Sequence, residues 1–229
     1  MPRGNVKPFP TITFEDALVI GNAIQEIASG EKVRRLTLFD HIKKSPDSGP
    51  SRQLIINSNK YGITAGGNQA DFLELTQDGK LATSSEVSEK DRIESRFKLS
   101  IKKTPIFDYL YEKIKNNKLP SKQVIIDYVK ENDIKDDNVA EECIDLFIIN
   151  LKFIGLLRTM SGIERIITVE QRLEETEGKI ADKVIEFSEV RDIVPKISHE
   201  NIEESCFYIT PIGEEGSEQR KHSDLFLVQ

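Results

Sequence analysis

The sequence predicts a mainly α protein of the α+β class, built as two three-helix modules that each end in a short β-ribbon. Three observations carry that prediction. Apolar residues recur at steps of three and four in separate segments bounded by capping or breaking residues. The clearest stretch, Asp136 to Val169, reads as a helix followed by a hairpin. In it Val139, Cys143, Leu146, Phe147, Asn150 and Leu151 share one helical face and Gly155 stops the helix. Leu156 to Thr159 and Arg165 to Val169 are β-type runs joined by Met160-Ser161-Gly162-Ile163-Glu164. Composition agrees, because 38% hydrophobic against 31% charged in 229 residues suits small helical modules joined by charged connectors.

Taken in order, residues 1–13 are Pro-rich and polar and are expected to form a loose arm. Phe14, Ala17, Leu18, Gly21, Ile24 and Ile27 mark the first helix, with Thr13 as N-cap and Gly30 past its end. Val33 to Lys44 carries Leu36, Phe39 and Ile42 at threefold spacing and reads as the second, until Ser45-Pro46-Asp47-Ser48-Gly49-Pro50 breaks it. Ser51 to Tyr61 reads as the third, with Leu54, Ile55 and Ser58 inward and Gly62 at its end. The run Phe72 to Ala82 resembles the "L-T-x-x-G-x-x-L/A" segment near the wing of winged-helix regulators, and its Asp78-Gly79 reads as a tight positive-φ turn. Residues 14–83 are therefore expected as a first winged-helix-like module. Residues 84–103, with Ser84, Ser85 and Ser88 among many charges, read as a linker or a solvated helix.

The second winged-helix-like module is expected at 104–169. Thr104 is its predicted cap before Pro105, and Ile106, Phe107, Leu110, Tyr111 and Ile114 lie on its first helix. Val124, Ile125, Tyr128 and Val129 lie on its second, and the helix and hairpin described above complete it. Helices followed by a two-stranded wing are the chain order of a winged helix, a helix-turn-helix variant. Residues 170–204 read as a connector helix, Glu170 to Arg191, broken near Gly178, and then a linker holding Pro195.

Net charge is −7, which argues against a protein that coats phosphates generally, but the balance is uneven: +3 over residues 1–103 and −10 over 104–229. A nucleic-acid site, if present, belongs to the first module. Its candidates are Arg34, Arg35, Lys43, Lys44, Arg52, Gln53, Asn57 and Lys60: a helix laid in a DNA major groove, polar side chains on base edges and cations on phosphates. The alternative is an ordinary solvated helix face, since Asp40 and Asp47 oppose the cations. The third helix of the second module carries Glu141, Glu142 and Asp145, which repel phosphate and suit a protein partner or self-association.

Within residues 1–200 no Ser/His/Asp, Cys/His or paired-carboxylate arrangement stands out, so no catalytic site and no cofactor are expected there. Cys143 and Cys206 read as small core residues. His41, His199 and His222 lack ligand spacing, so no metal site is expected. No run of about 18 apolar residues and no signal-peptide core occurs, which predicts a cytoplasmic chain without membrane contact.

From Ser205 the pattern changes to Cys-Phe-Tyr-Ile-Thr and then Pro211-Ile212-Gly213-Glu214-Glu215-Gly216-Ser217-Glu218-Gln219-Arg220-Lys221-His222-Ser223-Asp224. A strand and Gly-containing loop opening a helix can present backbone N–H groups to an anion. These residues resemble the opening strand, loop and helix of bacterial TIR-like nucleotide-binding domains, related in fold to the nucleoside deoxyribosyltransferases. The resemblance implies that Pro211, Gly213, Ser217 and Arg220 line a phosphate or ribose region and that Asp224 begins the first helix. It covers roughly 25 residues, and the family's later strands and catalytic carboxylate do not occur before Gln229. Residues 205–229 are thus expected as the start of a truncated TIR-like domain. The expected function is a non-catalytic regulatory or sensor region of such an effector, in antiphage defence or signalling. The alternative is a free-standing winged-helix DNA-binding transcriptional regulator.

Overall fold

The computed structural model describes residues 7–176, all of which fall within one unit, Met1–Asp182. They are mainly helical with small antiparallel sheets. α1 (Phe14–Ala28) starts where the Thr13 hydroxyl accepts from the Asp16 N–H at 3.1 Å. It stops where Ser29 and Gly30 turn left-handed. After β1 (Val33–Arg34) and α2 (Arg35–His41), Ser48 caps α3 (Gly49–Tyr61) and Gly62, at φ 79°, ends it. β2 (Thr64–Ala65) and β3 (Phe72–Leu75) then complete an antiparallel sheet of order β1-β3-β2, with Val33 opposite Leu73 and Thr64 opposite Leu75. The first module thus runs helix, strand, helix, helix, strand, strand. The second helix begins two residues later than its spacing predicts, because Val33 and Arg34 pair with β3. Tertiary pairing overrides a short local pattern.

The segment after β3 departs from expectation. Asp78-Gly79 is not a turn but part of α4 (Gln77–Thr83), capped by the Thr76 hydroxyl, which accepts from the Gly79 N–H at 2.9 Å. A Cβ at residue 79 would stand 2.1 Å from the Ile63 carbonyl oxygen, so glycine is needed here for close approach rather than for a special φ.

Residues 84–103, read as a linker or a solvated helix, form a helix that is packed rather than solvated. Ser88 caps α5 (Glu89–Phe97), which runs into a π-helical turn at Lys98–Lys102, and Ile93, Leu99 and Ile101 are buried. Their apolar positions are few and separated by charges, so the buried stripe shows only once α4 lies beside it. There Ser95 Oγ donates to the Asp78 carbonyl at 2.6 Å, Arg96 Nε donates to the Ala82 carbonyl at 3.0 Å, and Lys98 pairs with Asp78 at 2.8 Å.

The second module comprises α6 (Pro105–Ile114), α7 (Lys122–Glu131), α8 (Asp137–Phe153), β4 (Leu157–Met160) and β5 (Ile163–Ile166). Asp136 caps α8 by accepting from the Val139 N–H at 3.0 Å. Thr104 precedes α6 but its side chain makes no capping hydrogen bond. β4 and β5 meet at a two-residue turn whose Ser161 and Gly162 both have positive φ, the geometry that matches strand twist. Lys118 bridges Arg165 on the far side of β5 and supplies a third strand position. Residues 169–176 are helical, opened by a reciprocal cap between Thr168 and Gln171. The rest of the predicted connector and the tail at 205–229, with Cys206, His199, His222 and Asp224, lie outside the described residues.

The two modules do not keep separate cores. Phe14, Ile24 and Tyr61 of the first module belong to the same buried cluster as Phe107, Phe147 and Leu151 of the second. The N-terminal arm is part of it: Phe9 is 1% exposed and its ring centroid lies 6.3 Å from that of Phe107. A Pro-rich composition concealed an aromatic anchor. Among the described residues no helix is long and apolar enough to cross a membrane.

Candidate functional site: the third helix and the module junction

α3 is the helix on which the candidate base-reading residues were expected, and its sequence places Arg52, Gln53, Ile56 and Asn59 at helical spacing on one side. Arg52 and Gln53 are exposed, as are Lys43 and Lys44 in the connection from α2. Lys43 has φ 53°, a left-handed residue that turns the chain toward α3.

The eight candidate residues do not form one free surface. Asn57 is fully buried, which removes it from any groove. Its amide oxygen accepts from the Thr11 N–H at 2.7 Å and its amide nitrogen donates to the Gln53 carbonyl at 2.8 Å. Gln53 Oε1 accepts from the Thr11 hydroxyl at 3.3 Å. The Lys60 ammonium donates to the carbonyls of Lys7 and Phe9 at 3.3 and 3.2 Å. The arm thus lies along the Gln53, Asn57 and Lys60 side of the helix: Thr11 donates to the side-chain oxygens of Gln53 and Asn57, and the Lys7 and Phe9 carbonyls accept from Lys60. Arg35 donates to the Pro46 carbonyl at 2.6 Å and pairs with Asp47 at 2.8 Å, bracing the connection between α2 and α3. Arg34 sits on the outer face of the sheet, its guanidinium carbon 5.8 Å from the Phe72 ring centre, with the Lys32 ammonium 4.7 Å from the same ring. Arg34, Lys43, Lys44 and Arg52 remain exposed cations.

Behind α3 lies a buried polar junction. Asn150 of α8 is fully buried; its Oδ1 accepts from the Phe14 N–H at 2.9 Å and its Nδ2 donates to the Tyr61 hydroxyl at 3.0 Å. Tyr61 in turn donates to the Ile12 carbonyl at 2.9 Å. The start of α1, the end of α3 and the last turn of α8 are joined through two side chains, with the Phe14 ring edge-on to Tyr61 at 5.2 Å and to Phe153 at 6.0 Å. Burial pushes the Tyr61 hydroxyl pKa above its ordinary value, with the Asn150 hydrogen bond opposing. Asn150 was legible as a polar residue on an apolar face. Its partners were not, because 89 residues separate it from Tyr61 and 136 from Phe14.

On α8 the exposed Glu141 and Asp145 are bridged by Lys122 of α7 at 3.0 and 3.4 Å, and the partly exposed Glu142 pairs with Lys7 of the arm. Cys143 is buried, and burial pushes its thiol up to about 12. The TIR-like candidates Pro211, Gly213, Ser217 and Arg220 lie outside the described residues. No family model matches the chain, and no curated protein or solved structure matches it either.

Proposed function

We propose that residues 7–176 form a non-catalytic sensing and regulatory body of two joined winged-helix-like modules, serving a TIR-like nucleotide-binding effector in the cytoplasm. The observation that carries this reading is the engagement of Gln53, Asn57 and Lys60 by the chain's own arm. Gln53 and Asn57 would otherwise be offered to base edges and Lys60 to a phosphate. The acidic outer side of α8 supports it, since phosphate is repelled there and a protein partner is not. The link to a nucleotide-binding effector rests on the resemblance of residues 207–224, and with it comes a place in antiphage defence or signalling.

The second reading, a winged-helix DNA-binding regulator, is favoured by the exposed Arg34, Lys43, Lys44 and Arg52. A salt titration with duplex DNA separates the two. The sensor reading expects no steeply salt-dependent binding. Affinity that falls steeply with salt and is lost in Arg52→Glu overturns it in favour of the regulator. For the effector, the gene product that continues into a complete TIR-like domain is expected to cleave a nicotinamide-type or other nucleotide. A stop codon directly after Gln229 removes that part.

A further inference from the structure

We propose that the outer edge of β4 is a docking site for an acidic, extended protein segment, which adds to the second wing as a further strand. This rests on the reading of the second module as the one that meets a protein partner.

The hydrogen-bond pattern of the wing shows which groups face outward. Glu164 O accepts from Leu119 N at 2.9 Å, Ile166 N donates to Asn117 O at 3.1 Å, and Ile166 O accepts from Asn116 N at 2.8 Å. Glu164 and Ile166 therefore direct their backbone groups away from β4. Thr159 and Leu157 stand opposite them and, by the alternation of an antiparallel ladder, direct theirs away from β5. No backbone hydrogen bond among the described residues reaches these outward groups. Among the described residues the edge is open, the condition under which another strand pairs.

The side chains beside that edge say what kind of strand fits. Lys118 pairs with Arg165 and Arg165 with Arg158, so three cations stand in one row on one face of the wing. Like charges directly opposite one another destabilise a sheet unless an anion joins them. The next row on the same face is apolar: Met160 opposite Ile163, 53% and 40% exposed. A strand added to β4 extends both rows, so a carboxylate beside Arg158 and an apolar side chain two residues away beside Met160 complement the surface. Arginine and methionine are residues that recur at protein interfaces. Arg158 presently pairs with Glu175 at 3.3 Å, with both side chains more than a third exposed, a contact weak enough to exchange. In the register centred on Arg158, a second copy of this chain would bring Arg158 against Arg158.

The test uses the full chain and two fluorescent peptides, Thr-Glu-Thr-Ile-Thr-Glu-Thr and the same sequence with lysine in place of glutamate. The acidic peptide is expected to bind and to slow hydrogen exchange at the Leu157 and Thr159 amides. Thr159→Pro, which removes an outward N–H and no ladder bond, and Arg158→Glu are each expected to weaken it by about tenfold, a loss of about 1.4 kcal/mol. Unchanged melting of both variants shows that the fold survives. Equal binding of the lysine peptide, binding without protection of those two amides, or wild-type affinity in Thr159→Pro overturns the proposal. So does protection of the same amides by self-association without peptide. Amide protection is read independently of the DNA titration, so either proposal can fail alone.

Discussion

The Asn150 amide nitrogen lies 3.0 Å from the Tyr61 hydroxyl, and this one hydrogen bond ties the third helix of the first module to the third helix of the second. Both residues are fully buried, and neither has water to replace a lost partner. Deleting one side of such a pair leaves a buried polar group unsatisfied. Asn150→Ala is expected to lower unfolding stability by about 2–4 kcal/mol and Tyr61→Phe by about 1–2 kcal/mol. In a double-mutant cycle read by urea unfolding, coupling of about 1 kcal/mol is expected. Additivity to within about 0.3 kcal/mol would show that the two modules are not joined there.

The arm is expected to behave as core. Phe9→Ala removes a ring that is 1% exposed and should cost about 3 kcal/mol in thermal or urea unfolding. A change under about 0.5 kcal/mol would restore the loose arm that composition suggests.

Two glycines should respond differently to alanine. At Gly79 the new Cβ meets the Ile63 carbonyl, a backbone atom that cannot step aside, and a loss of more than about 2 kcal/mol is expected. At Gly162 nothing lies within 4 Å and only the positive φ of 77° is at stake, for about 1 kcal/mol. Equal costs in parallel denaturation curves would contradict the close approach of α4 to Ile63.

Stability should fall in alkali. Burial raises the Tyr61 hydroxyl and takes the Cys143 thiol to about 12. Unfolded, these groups lose their protons near pH of about 10 and about 8.5, so above those values the unfolded chain binds fewer protons than the folded one. Their contribution is complete below the unfolded values and is lost as pH rises through the folded ones. Urea midpoints from roughly pH 8 to pH 11 should decline, and the decline should flatten in Tyr61→Phe and in Cys143→Ala. A slope unchanged in both variants would show that these groups are not the source. Cys143 should also resist thiol reagents until the chain unfolds.

Much of the local structure was legible. Thr13, Ser48 and Asp136 precede helices and cap them, Gly30, Gly62 and Gly155 follow helices at positive φ, and the hairpin turns at Ser161-Gly162. Each depends on residues within about four positions of one another, so spacing reveals it. A helix at Glu89–Phe97 was one of two sequence alternatives, but its packing was hidden because it is stabilised by contact with α4 rather than by a dense apolar stripe. The candidate groove face was legible only as a list of donors. That Asn57 is buried and Lys60 meets the arm depends on a neighbour some 50 residues away in the chain.

The sequence by itself determined where the helices and the second hairpin form, because caps, breakers and periodicity act over a few residues. Only the tertiary structure decided that both modules share one core, that the arm covers part of α3, and that Lys118, Arg165 and Arg158 stand in a row. Those outcomes depend on packing between segments far apart in the chain, where desolvation and hydrogen-bond satisfaction select the partner and no local spacing records the choice.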